Sequence, residues 1–157
     1  MLFRSAETAA QHLGFAVSKS DNLDWIKTHI AHVVHAIDPS VEKNGPGLGY
    51  GVVKAAGGAA AHIGFAAKAG DASDNVKTHA THVGASTSNI VGWSAEIVMH
   101  ANKVRESSTA SEAMTHVTKI DVLMKSILAG FDANGDGSIS WAKGEGGLAQ
   151  AEQHMGF

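Results

Sequence analysis

The sequence predicts an all-α protein, a bundle of about six helices arranged as three antiparallel hairpins. Two observations support this class. Residues 9–33 align without a gap on residues 59–83 with 13 of 25 positions identical, and each copy reads as a helix, a short break and a second helix. Later, a capping-box pattern opens a strongly amphipathic stretch. The first two hairpins are therefore an internal repeat, and a third hairpin follows.

The two repeat copies span about 3–37 and about 53–92. Their breaks fall at residues 18–21 and 68–71, where Asp21 and Asp71 are expected to be N-caps. Asp24 and Asp74 then lie in the first turn, where a negative charge is favourable. Each copy should form one antiparallel pair of helices.

The third hairpin spans about 90–130. We expect a helix around Ile90–Val104, a polar turn, and a helix opened by Thr109 and Glu112 as a capping box. The Gly-rich residues 38–51 should be a connecting loop, and residues 131–147 a loop of calcium-binding type. Residues 1–157 are predicted to be a single helical domain, a common size for one core.

Composition excludes several classes of function. The formal charge is −3 with only 12 Lys and Arg, which are scattered, so we expect no nucleic-acid partner. The chain has no cysteine, which excludes disulfides, thiolate metal sites and covalently attached c-type haem. No apolar stretch is long enough for a membrane span, and the first residues do not read as a signal peptide.

Histidines are the candidate ligands. The repeat retains three in each copy, His29 and His32 being i, i+3 neighbours on one helix face, as their counterparts are. His12 and His29 lie at equal distances from the turn of the first hairpin, so they should lie side by side in an antiparallel pair. His62 and His79 are related in the same way in the second hairpin. A third level pair follows in the third hairpin, whereas His35 is not repeated and is expected to be peripheral. The predicted ligands are His12, His29, His32, His62, His79, His82, His100 and His116.

Three converging imidazoles suit zinc, copper, nickel or cobalt, and two could instead be axial ligands of haem b iron. Small residues near His62 favour haem if they leave a slot for the macrocycle; these are Gly57, Gly58, Ala61 and Gly64. Tight helix crossing explains the same residues equally well. Histidines that merely hydrogen-bond across the hairpins remain the alternative to any bound group. No Glu-x-x-His occurs, so a di-iron bundle is not expected.

A second motif follows the third hairpin. Asp132, Asn134 and Asp136 are spaced by two and precede Gly137, and the segment resembles an EF-hand calcium loop over about a dozen residues. The resemblance implies calcium ligands at Asp132, Asn134, Asp136 and Ser138. Lys143 stands where that family has its bidentate Glu, so Glu145 must reach back through a longer loop. A solvated turn without calcium is the alternative.

The whole chain resembles uncharacterised, predicted-exported microbial proteins with repeated H-x-x-H helices and a C-terminal D-x-N-x-D-G segment. The resemblance implies an extracytoplasmic, secreted or periplasmic protein whose leader is absent from this chain. We expect a non-enzymatic metal-binding protein in which a calcium loop stabilises the C-terminal part. The alternatives are a b-type haem electron-transfer protein and an accessory subunit of a larger extracytoplasmic assembly. Metal ions are the expected partners, with a protein partner or a homo-oligomer left open.

Overall fold

The computed structural model describes residues 2–154, and this part of the chain contains six α-helices and no strand. The all-α prediction is confirmed. None of the helices among the described residues is long and apolar enough to cross a membrane. The helices are α1 Leu2–Ser18, α2 Leu23–Ile37, α3 Val52–Ala67, α4 Asp74–Glu106, α5 Ala110–Ala129 and α6 Leu148–Gln153.

Helix packing confirms three hairpin contacts, α1 with α2, α3 with α4, and α4 with α5. The hairpins are not separate, because α4 is one helix of 33 residues that belongs to both the second and the third. At 1.5 Å per residue it is about 50 Å long. The expected boundary near residue 90 was wrong, and the sixth helix is the short α6, which packs on α4 and α5.

Polar side chains just before residue 90 form hydrogen bonds while α4 continues unbroken. Thr87 Oγ1 donates to the Val83 carbonyl one turn earlier, at 2.8 Å. The Asn89 side chain, which disfavours helix interiors when it competes for the backbone, is instead bonded to a distant segment of the chain. Tertiary contacts therefore overrule the local preference for a break.

Helices α2 and α4 begin with side-chain N-caps, as expected, but the capping residues differ from those predicted. The N-caps of α2 and α4 are Asn22 and Ser73, which accept from the backbone N–H groups of Trp25 and Val76. The prediction of Asp21 and Asp71 was wrong by one and two residues, because each break continues as a turn before the helix begins. The capping box at Thr109 is confirmed.

An aliphatic core joins the hairpins. It consists largely of buried isoleucines and valines from α2 to α5, together with leucines and alanines from α1, and Leu148 adds α6. Each such side chain stabilises the fold by about 1.5–3 kcal/mol relative to an exposed one. This packing fixes the height of each helix against its neighbour, and hence which histidines lie side by side. Ile26, Ile30, Ile90, Ile97, Ile120 and Ile127 are among its largest members.

Candidate metal centres

Site 1 is formed by His12 on α1 with His29 and His32 on α2. His12 Nδ1 lies 2.9 Å from His29 Nδ1 and 3.2 Å from His32 Nδ1. One ring nitrogen from each residue lies within 4.8 Å of the others. The predicted grouping of these three residues is what the structure shows, because the α1–α2 hairpin sets His12 level with His29.

The three nitrogens of site 1 cannot all be satisfied by one another. A neutral imidazole Nδ1 is either a donor or an acceptor, so the Nδ1 of His12 cannot donate to one neighbour while it accepts from the other. A cation between the rings could be coordinated by one lone pair from each residue. These three residues could therefore hold a metal ion.

Site 2 is formed by His79 and His82 on α4 with His154, which follows α6. His79 Nδ1 lies 2.7 Å from His154 Nδ1, and the ring centroids of His82 and His154 are 4.7 Å apart. These three residues also form a group within 4.8 Å. His62, expected here from the repeat, is outside that group, and His154 takes the place that His12 has in site 1.

Two ring nitrogens of site 2 are buried without a hydrogen-bond partner. They are His82 Nδ1 and His154 Nε2. Leaving a buried polar atom unpaired costs about 1–3 kcal/mol. A bound cation coordinated by such a nitrogen removes that cost, so this burial favours a ligand at the site.

Each site has a tryptophan against its histidines. The Trp25 ring centroid is 4.3 Å from that of His29, and the Trp141 centroid is 4.1 Å from that of His82. Trp25 corresponds in the repeat to Asn75, so the second copy has lost its own aromatic residue. The C-terminal segment, residues 130–154, supplies both the replacement tryptophan and the third histidine of site 2.

Asn89 holds the C-terminal segment on α4. Its Nδ2 donates to the carbonyls of Ala142 at 2.9 Å and Gly146 at 3.0 Å, and its Oδ1 accepts from Gly144 N at 2.8 Å. Sequence reasoning missed both residues, because Asn89 lies beyond the aligned residues 59–83 and His154 belongs to neither the repeat nor a hairpin. The one available signal was the loss of the Trp25 equivalent from the second copy.

Burial and mutual repulsion lower the pKa of His12, His82 and His154 and so favour their neutral form. Desolvation, followed by the neighbouring His32 and His29, lowers the pKa of His12. Desolvation and then His79 lower the pKa of His82, and desolvation, His82 and His79 lower the pKa of His154. Since only the neutral ring coordinates a metal, the rings are ready to bind at neutral pH.

Two other predicted positions are resolved. His100 on α4 and His116 on α5 form the expected level pair, with their Nδ1 atoms 3.2 Å apart and no third ligand in the described chain close enough to form a triad. Desolvation, then Lys119 and His116, lower the pKa of His100, and Glu96 opposes them. His35 is outside both triads, as expected, and its Nδ1 donates to the Glu42 carbonyl at 2.8 Å.

The calcium-type loop is closed by its own hydrogen bonds. Asp132 accepts from the N–H groups of Gly135 and Gly137, and Asp136 accepts from Ser138 N. Glu145 is buried, and its Oε2 accepts from both the N–H and the hydroxyl of Ser140. In this arrangement Glu145 Oε2 is bonded to Ser140. The calcium assignment of this loop stays a prediction.

The small residues near His62 do not lie at a tight helix crossing. A Cβ added at Gly57 or Gly64 would meet no atom within 4 Å, and one at Gly58 would meet only the Tyr50 hydroxyl at 3.8 Å. Ala61 is exposed. Close helix packing therefore does not explain these glycines, and the haem slot stays a prediction.

Comparison of the chain with protein-family models, with curated proteins and with solved structures finds no match.

Proposed function

We propose that the protein binds transition-metal ions of the zinc and copper class at site 1 and site 2 and has no catalytic activity. The observation that carries this proposal is the convergence of three ring nitrogens at each site, which hydrogen bonds among them cannot fully satisfy. The α1–α2 hairpin holds the two elements of site 1 at fixed height, and the packing of α6 on α4 brings together the two elements of site 2. Little rearrangement is then needed on binding.

The spacing fits ions of this size. Two nitrogens bound to tetrahedral zinc at about 2.0–2.1 Å are about 3.3 Å apart. The closest nitrogen pairs are 2.9 and 3.2 Å apart in site 1 and 2.7 Å apart in site 2. The other nitrogens of each group lie within 4.8 Å, so the widest pairs would have to approach by up to about 1.5 Å to complete the geometry. The all-nitrogen donor set and the lack of cysteine favour zinc, copper, nickel or cobalt over thiolate-bound metals.

A bare ion is favoured over haem. The macrocycle must lie between its two axial imidazoles, whereas the facing nitrogens here are within hydrogen-bond distance of each other. Three histidines at each site also exceed the two that haem iron uses. Binding of haem b for electron transfer is the alternative proposal, and a visible spectrum of purified protein with a Soret band would support it.

Catalysis is not proposed because neither triad of the described chain includes a carboxylate that could be a general base. A structural role is the second alternative: an accessory subunit of an extracytoplasmic assembly, in which the ions make the bundle rigid.

We propose an extracytoplasmic location on the basis of the calcium-type loop, because its weak ligand set suits the millimolar calcium outside cells. Calcium at Asp132, Asn134, Asp136, Ser138 and Glu145 would stabilise the C-terminal segment that completes site 2.

Metal stoichiometry tests the main proposal. Metal-free protein titrated with Zn²⁺ or Cu²⁺ should bind two ions per chain tightly, with weaker binding at His100 and His116. His29→Ala should remove the first ion and His82→Ala the second. His35→Gln is the control, since its ring is bonded to the Glu42 carbonyl. Two tightly bound ions in the double variant would overturn the proposal.

Tryptophan fluorescence assigns each ion to its site. Paramagnetic Cu²⁺ quenches a nearby indole, and Trp25 and Trp141 each contact a histidine of one site only. Loss of site 1 should abolish the quenching of Trp25, measured in a background in which Trp93 and Trp141 are both replaced by Phe. Quenching that persists there after His29→Ala would contradict the assignment.

A further inference from the structure

A fourth histidine lies beside site 2. A cavity of about 380 Å³ is lined by His62 and Ile63 of α3, by Val76 and His79 of α4, and by His154. His62 is therefore on the wall of the same cavity as two of the three site 2 ligands. Neither group contains a fourth His, Cys, Asp or Glu among the described residues, but His62 shares this cavity with site 2.

The internal repeat explains why His62 is there. His62 occupies the position of His12, and α3 packs on α4 as α1 packs on α2. Hairpin geometry thus directs His62 toward His79, as it directs His12 toward His29. In the second copy, however, His154 from the C-terminal segment already contacts His79. Beside site 2 there are thus two histidines in addition to those of α4: His62 from the repeat and His154 from the C-terminal segment.

His62 is able to move into coordination. It is exposed, so its ring is not fixed by the core, and the cavity between the helices has room for it. An imidazole swings by several ångströms when its side-chain torsion angles change between staggered rotamers. A cation held by His79, His82 and His154 has a fourth tetrahedral position to fill.

We infer that His62 is the fourth ligand of site 2, so that site 2 closes around its ion while site 1 keeps one coordination position open. The inference rests on the proposed function and extends it. A closed four-nitrogen site is of the structural type, whereas a three-histidine site with an open position accepts an external ligand. Site 1 would then take a small anion or a nitrogen donor on its metal, and site 2 would retain its ion.

Cobalt(II) is the probe, because its visible spectrum reports coordination number. Site 2 is examined alone in a His29→Ala background, and site 1 alone in a His79→Ala background. We expect an intense four-coordinate spectrum at site 2 that azide does not change. Azide should shift the spectrum of site 1.

Replacement of His62 tests the ligand itself. In the background that retains only site 2, His62→Ala should lower Co²⁺ affinity at least about tenfold and make the spectrum sensitive to azide. Added imidazole should restore the original spectrum by filling the vacated position. His35→Gln is the control, because its ring lies outside both triads and is bonded to the Glu42 carbonyl. Alanine is favourable in a helix, and circular dichroism will verify that the variants are folded.

The outcomes separate this inference from the proposed function. If His62→Ala leaves both the Co²⁺ affinity and the spectrum of site 2 unchanged, His62 is not a ligand and the three-histidine proposal stands. If the parent with site 2 alone binds no Co²⁺, both proposals fail for that site. If azide shifts both sites in the parent backgrounds, site 2 is open and the inference fails.

Discussion

His154→Ala should remove most of the metal-dependent stability that site 2 provides. His154 joins the end of the C-terminal segment to α4, and its partner His79 lies 75 residues earlier in the chain. Without the imidazole, an ion at site 2 no longer ties the C-terminal segment to α4. The effect on the metal-free protein should be small, because the residue is only half-buried and follows the last helix.

The size of the effect follows from linkage between binding and folding. A ligand at a free concentration about 100 times its Kd stabilises the folded state by about 2.7 kcal/mol per site. For a chain of this size, 1 kcal/mol shifts the Tm by about 2–4 °C. Each intact site should therefore raise the Tm by about 5–11 °C, and the variant should lose about half of the total shift.

Differential scanning calorimetry with and without Zn²⁺ measures this directly. Wild type and His154→Ala should have similar Tm values after metal removal and should differ when zinc is present. His32→Ala, which removes the corresponding ligand of site 1, should lose a similar share, and the two losses should add. An unchanged zinc-dependent shift in His154→Ala would refute the role assigned to the C-terminal segment.

Further predictions concern stability, the C-terminal segment and calcium. The pKa values of His12, His82 and His154 are lowered in the folded state, so the unfolded chain binds more protons below about pH 6.5. Metal-free protein should therefore lose stability as the pH falls from about 7 to about 5. A urea midpoint that is independent of pH over this range would contradict this prediction. Asn89→Ala leaves backbone groups of the C-terminal segment unpaired and should lower the free energy of unfolding by about 1–3 kcal/mol. The variant should bind Zn²⁺ more weakly at site 2 but not at site 1. Equal weakening at both sites would contradict this prediction. If the calcium-type loop binds Ca²⁺, chelation should expose residues 130–147 to protease and Asp132→Ala should have the same effect; equal protection with and without chelator would leave only a hydrogen-bonded turn.

The sequence by itself determined features that depend on local spacing. The capping box at Thr109 fixes the start of α5 through groups within four residues of each other. Counting residues from each hairpin turn was enough to place His12 beside His29 and His100 beside His116, because an antiparallel pair of helices sets positions by distance from the turn. Site 1 follows entirely from such arithmetic.

Only the tertiary structure decided how site 2 is completed. His154 and Trp141 reach α4 because Asn89 binds the backbone of residues 142–146, an interaction between residues more than 50 positions apart that no local period encodes. The same contact pairs the Asn89 side chain within α4, which runs unbroken past the helix start expected near residue 90. Long-range hydrogen bonds compensate an unfavourable helix residue and bring a distant ligand to the site, so both the extent of α4 and the third histidine of site 2 depend on packing.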